Sequence, residues 1–192
     1  MTDGSILEHS YGPSDTTEAG SPFLVVDHPL DSEIGDLCRI GRAAIPGLAS
    51  DDTVRRVAAR NRDSLYGIFR MSSGRREPLG FYANLLLNEA GVEAVRDGRL
   101  NRACPADEHM VEHGVRPAAI YSWAVVAQGL FEKTLPLLAH RMGDLYAELP
   151  ILTSAATDAG RKTIKRRGFA TSDTGISTYD RSQDAYRSFR RA

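Results

Sequence analysis

The sequence predicts one soluble α/β domain, and three observations carry that reading. The chain has 192 residues, 42% hydrophobic and 26% charged, which suits a single substantial core and an ordinary globular composition. Its longest apolar runs, LYGIF, FYANLLL and AIYSWAVVA, are far shorter than the roughly 18 residues that span a bilayer, so they fit core strands. Between these runs lie segments whose apolar residues recur at helical spacing.

From the N-terminus, residues 1–21 are rich in Ser, Thr, Gly and Asp and read as a flexible lead-in without the basic and apolar regions of a secretory signal. Phe23-Leu24-Val25-Val26 reads as a short strand closed by Asp27-His28-Pro29. Asp31 or Ser32 is then placed to cap a helix carrying Ile34, Leu37, Cys38, Ile40, Gly41, Ala44 and Ile45, which Pro46-Gly47 stops. A second helix starts near Ser50-Asp51-Asp52, where acids complement the helix N-terminus. Two apolar runs around the turn-rich residues 72–77 read as an antiparallel hairpin over 65–87.

Residues 88–117 differ in character. They hold one short helix near 89–96, and Cys104-Pro105-Ala106-Asp107 is placed to cap another that ends at Gly114, so the stretch reads as an insertion with little extended structure. Residues 118–127, dense in β-branched and aromatic side chains, form the best central-strand candidate. A helix follows to Met142; Pro136, tolerated in a first turn, predicts a regular start near Thr134. A short strand at 149–153 precedes a helix capped by Thr157 or Asp158 and ended by Gly168. Phe169-Ala170 opens a last strand, and residues 181–192 form a basic tail.

This element order resembles the GNAT acyltransferase superfamily over about residues 22–180, together with three local features. They are Pro78-Leu79-Gly80-Phe81-Tyr82 in the hairpin, residues 119–126 running into Gln128-Gly129 and a helix, and the closing helix 157–167 followed by Gly168-Phe169. The resemblance implies a mixed, mostly antiparallel central sheet flanked by helices. It also implies acetyl-CoA or another acyl-CoA as donor, and a small-molecule or peptide amine as acceptor. Ala124, Val125, Val126, Gln128, Gly129, Lys133 and Thr134 would bind the donor, with Tyr82 and Trp123 at the substrate. Independently of the family, a strand feeding a tight turn and a helix aims several N–H groups at one point, an arrangement suited to a pyrophosphate. The sequence departs from the family in two places: Gly129 is the one glycine of its loop, with Glu132 nearby, and Ile164 holds the usual tyrosine position. For catalysis it offers Tyr121 on the strand, with His109 and His113 bordering an acceptor that enters between hairpin and insertion.

Two other constellations carry rival readings. His109-x-x-Glu112-His113 spells a zinc-hydrolase motif if helical, with both imidazoles on one face. A GNAT-like fold used as a binding or regulatory module without turnover is the other alternative. The basic run of Arg161, Lys162, Lys165, Arg166 and Arg167 lacks the aromatic interleaving of a nucleic-acid site and reads as a solvated face, some of which could meet a cofactor phosphate. A net charge of -1 adds no field toward nucleic acid or membrane, and two cysteines make no disulfide framework, which suits a cytoplasmic setting.

Overall fold

The computed structural model describes residues 21–179; residues 1–20 of the predicted lead-in and the basic tail at 181–192 lie outside them. Strand β1 (Phe23–Asp27) leads into helices α1 (Asp31–Ala44) and α2 (Asp51–Arg60), then the hairpin β2 (Leu65–Ser72) and β3 (Arg75–Leu87) and helix α3 (Glu89–Arg96). Strand β4 (Ala119–Val126), helices α4 (Phe131–Met142) and α5 (Asp144–Glu148), strand β5 (Ile151–Thr153), helix α6 (Asp158–Arg166) and strands β6 (Ala170–Thr171) and β7 (Ser177–Tyr179) complete the order. The strands form one seven-stranded sheet, β1-β2-β3-β4-β5-β7-β6. Strands β4 and β5 run parallel, and every other neighbouring pair is antiparallel. The predicted mixed, mostly antiparallel sheet flanked by helices is therefore the architecture found.

Local chemistry explains most boundaries. The hairpin turns on Ser73-Gly74, with φ of 48° and 75°, a two-residue turn whose twist matches that of the strands. Ser50 caps α2 by accepting from the Thr53 N–H at 3.2 Å, and Thr157 caps α6 by accepting from Gly160 at 3.1 Å. The cap of α1 differs from expectation. Leu30 takes the cap position, and the Glu33 carboxylate reaches back to accept its N–H at 2.7 Å, so neither Asp31 nor Ser32 is needed there. At the end of α6, Phe169 N–H reaches the Ile164 carbonyl at 3.3 Å and Gly168 N–H that of Lys165 at 3.2 Å. This is a Schellman closure, with Gly168 at φ 77°.

The expected start of the helix that ends at Met142 fails for a packing reason. Helix α4 begins at Phe131 and carries Pro136 in its second turn. The missing N–H forfeits a single backbone bond, while Thr134, Leu135, Leu138 and Met142 bury a full face against the sheet. The 88–117 segment has little extended structure, as expected, and it packs into the core. Met110 bridges to Leu87, Val111 N–H donates to Leu86 at 2.9 Å, and Val92, Val95, Leu100 and Met110 pack beneath Leu85, Leu87 and Tyr121.

The core lies on both faces of the sheet. Helices α1 and α2 press Ile34, Leu37, Cys38 and Val54 onto Leu65, Phe81, Ala83, Ala124 and Val126. On the opposite face α4 and α5 press Leu135, Leu138, Met142 and Tyr146 onto Tyr66, Ile68, Tyr82, Leu86 and Ile120. Among the described residues no helix is long and apolar enough to cross a membrane. Burial, helped by Asp51 nearby, pushes the Cys38 thiol up to about 11, so it stays protonated and inert near neutral pH, whereas Cys104 is exposed. Titration of the native protein with a thiol reagent at pH 8 is expected to modify one cysteine rapidly, and a second only in denaturant. Two fast thiols would contradict the packing of α1.

Candidate functional site

The site arises where two parallel strands part early. Strand β4 pairs with β5 at residues 120–122 only, opposite 151–153. Thr153 Oγ1 donates to the Ser122 carbonyl at 3.1 Å and ends the pairing. Beyond it, Ser154 Oγ lies 3.0 Å from the Tyr121 hydroxyl and accepts from Arg102 Nη1 at 2.6 Å. These contacts draw the chain after β5 away from β4 and deliver it to the N-terminus of α6. Residues 123–126 of β4 therefore keep β3 on one side and have no strand on the other. Alternate residues of a strand direct their N–H and C=O groups to opposite edges, so this stretch offers unpaired main-chain groups to the gap.

A β-bulge sits at the same place. Ala83 pairs with Ala124 and Asn84 with Ser122, which leaves Trp123 unopposed. The alternation of faces breaks accordingly: Ile120 faces α4, while Trp123 and Ala124, adjacent in sequence, both pack toward α1. Trp123 is anchored by its indole N–H to the Arg102 carbonyl at 2.8 Å.

The gap is the mouth of a cavity of about 450 Å³, within the range typical of small-molecule sites. It passes through the sheet, since its walls include Ala44 and Ile45 at the end of α1 as well as Leu135, Leu138 and Tyr146 on the opposite face. Its lining is mainly apolar. Among the described residues Arg167 is the one charged side chain that lines it, and no His, Asp, Glu or Lys does.

Beyond β4 the chain turns at Gln128-Gly129, with φ of 25° and 80°, and enters α4 at Phe131. A positive φ at a non-glycine residue is uncommon and strained, and here it faces the cavity. Glu132, in the first turn of α4, is ion-paired to both Arg166 and Arg167 at the end of α6, and the Arg167 guanidinium lies 5.5 Å from the centre of the Phe131 ring. The acid that the sequence sets beside the turn is thus neutralised by two arginines. Helix α6 has no buried residue at all; its inward face, including Ala159, Thr163 and Ile164, lines the cavity.

Of the sequence candidates, Ala124, Val125, Val126, Gln128, Gly129, Tyr82 and Trp123 line this one cavity. Lys133 and Thr134 do not. Lys133 is exposed, and Thr134 is fully buried, its Oγ1 donating to the Leu130 carbonyl at 2.9 Å and lying 2.7 Å from the Tyr82 hydroxyl. Thr134 thus holds the Tyr82 hydroxyl. Tyr121 is buried on the α3 side of the sheet, with its hydroxyl 3.0 Å from Ser154 Oγ.

His109 and His113 lie away from the cavity, and residues 88–117 contribute nothing to its walls. The helix they would need is absent: a single 3-10 turn, Asp107–His109, gives way to extended Met110. The strand-like bridge to Leu87 wins over the helical spacing and sends the two imidazoles apart. His109 Nε2 is 3.8 Å from Glu108, and His113 Nδ1 is 3.7 Å from Asp63. Among the described residues no group of three or more His, Cys, Asp or Glu is placed to hold a metal ion. The helix on which the zinc-hydrolase reading depends is therefore not formed at these residues.

Residues that the sequence did not single out also line the cavity, notably Asn84, Tyr146 and Tyr179. A signal for Asn84 was present, as the one amide inside the apolar run FYANLLL at an inward strand position. The chain matches no family model, no curated protein and no solved structure.

The buried Tyr82–Thr134 contact has a measurable weight. Thr134→Val is expected to destabilise the fold by about 1–3 kcal/mol in urea unfolding, and a double-mutant cycle with Tyr82→Phe to give a coupling of about 0.5–1.5 kcal/mol. A coupling near zero would remove Thr134 as the anchor of Tyr82.

Proposed function

We propose that this protein is an acyl-CoA-dependent N-acyltransferase of the GNAT type, acting on an amine of a small molecule or peptide. One observation carries the reading. The unpaired edge of β4 at residues 123–126 runs straight into the Gln128-Gly129 turn and the first turn of α4, along an apolar cavity. A free strand edge suits an extended arm bearing amide groups, which adds to it as a further strand would. The turn and helix N-terminus suit the phosphates at the outer end of that arm, and Arg166 and Arg167 stand beside them. The apolar wall suits the thioester end.

The chemistry required of the chain is modest. Main-chain N–H groups of the β4 edge polarise the thioester carbonyl and hold the negative charge that builds on its oxygen. The walls fix the amine nitrogen against the carbonyl carbon, and this positioning is the larger part of the catalysis. A C–N bond forms, the C–S bond breaks, and the departing sulfur or solvent water takes the proton from nitrogen. No acidic or imidazole side chain among the described residues lines the cavity to take it instead. The amine must therefore arrive neutral, and the rate should rise with pH up to the amine's own pKa.

That same lack of a side-chain base favours a second reading, a module that binds acyl-CoA without turning it over. Calorimetry and thermal melts separate the outcomes. Coenzyme A at about a hundredfold excess over Kd should stabilise the protein by about 2.7 kcal/mol, raising Tm by roughly 5–10 °C. No shift at millimolar ligand would sink both readings. Binding without release of free thiol, over a panel of amines at pH 7 to 9, would leave the binding module. In a separate measurement, Gly129→Ala should cost about 1–2 kcal/mol of stability and weaken coenzyme A binding, because an L side chain resists φ of 80° at the turn.

A further inference from the structure

The inner end of the cavity holds one polar group with unmet hydrogen bonds. Asn84 is 4% exposed and lines the cavity on the face covered by α4. Among the described residues, the one side-chain hydrogen bond recorded for Asn84 runs from its amide nitrogen to the thioether sulfur of Met142, at 3.9 Å. A thioether is a weak acceptor, and a buried carboxamide has capacity for two donated and two accepted bonds. Leaving such a group unmatched is costly, and a leucine would fill the same space at no such cost. Leu138 from α4, Tyr146 from α5 and Ile120 from β4 line the same cavity, and Met142 of α4 lies against the amide.

Register places this group relative to the strand edge. Asn84 pairs with Ser122, three residues along β4 from Val125, or about 10 Å at the usual rise of a strand. An arm lying along residues 123–126, with its outer end at the Gln128-Gly129 turn, directs its reactive end toward Ser122 and Asn84. The group that continues past the thioester then enters the apolar space beneath α4, where an acetyl methyl would make no use of Asn84.

Resting on the acyl-CoA reading above, we infer that this inner chamber selects an acyl group longer than acetyl that carries a neutral hydrogen-bonding substituent, a hydroxyl or carbonyl, and that Asn84 recognises it. A carboxylate does not fit the chamber. Arg167, the single cation on the lining among the described residues, sits at the opposite end against Phe131 and is paired with Glu132. A carboxamide both donates and accepts, which matches a hydroxyl or a carbonyl equally. A site that hydrogen-bonds a substrate oxygen discriminates strongly against the analogue lacking it, because its own polar group is then left bare.

Calorimetric titration of the full chain with coenzyme A, butyryl-CoA and β-hydroxybutyryl-CoA tests the idea. Coenzyme A should bind, and the hydroxylated thioester should bind about tenfold more tightly than butyryl-CoA. In Asn84→Leu and Asn84→Ala that ratio should fall to about one, and Asn84→Leu should melt at a higher temperature than the parent. Equal affinity of the parent protein for the two thioesters, with coenzyme A bound, would overturn the role of Asn84 and leave the acyltransferase reading standing. A preference that survives in either variant would do the same. Failure of coenzyme A itself to bind would overturn both. The comparison on the parent chain needs no variant, so a misfolded substitution does not remove the test.

Discussion

The early parting of β4 from β5 is the constraint on which the rest of the molecule depends. Among the described residues, three residue pairs hold these parallel strands together, and they are the one strand pairing that joins the β1–β4 side of the sheet to the β5–β7–β6 side. Were the pairing to continue, residues 123–126 would spend their main-chain groups on β5 and the cavity would not exist. The bulge at Trp123, the Thr153 bond to Ser122 and the Tyr121–Ser154–Arg102 contacts all act at this point. A local break in a ladder thus becomes a passage from one face of the sheet to the other.

The stability that tolerates such a break comes from elsewhere. Leu37, Ile68, Phe69, Leu85, Leu86 and Leu87 are essentially sealed from water, and they sit in the β2–β3 hairpin and the helix that covers it. Apolar burial of that kind outweighs the exposed ion pairs on the surface, which individually contribute about 1 kcal/mol or less. The Glu132 bridge to Arg166 and Arg167 belongs to this weak class by exposure, with Glu132 about half open to solvent. Its consequence is geometric: it ties the first turn of α4 to the end of α6.

How far the sequence could be read follows from which interactions are local. Strands, helices, the Thr157 cap and the Gly168 closure rest on spacing and on single residues, so they were legible. The helix imagined around His109 and His113 was not, because the extended pairing of Met110 with Leu87 joins residues distant in sequence. Pro136 misled for the same reason: propensity argued against a second-turn proline, and burial of Leu135, Leu138 and Met142 overrode it. Within the site, Ala124, Val125, Val126, Gln128 and Gly129, expected from the strand-turn-helix pattern and the family resemblance, and Tyr82 and Trp123, expected from the resemblance, all line the cavity. Of the other two residues expected there, Lys133 is exposed and Thr134 is buried against Tyr82, and neither lines the cavity. Asn84 and Tyr146 came from other parts of the chain, and only folding brings them to the same wall.

Helix α6 has a different kind of freedom from every other helix near the site. It presents no residue to the core, and its inward side chains meet the cavity. Changing Ala159, Thr163 or Ile164 would therefore resize the chamber while leaving the packing of the sheet untouched. Such a wall can drift under selection for a new substrate faster than the strands behind it, which are held by their own neighbours. Divergence in specificity would then accumulate on α6 first, on a scaffold that need not change to permit it.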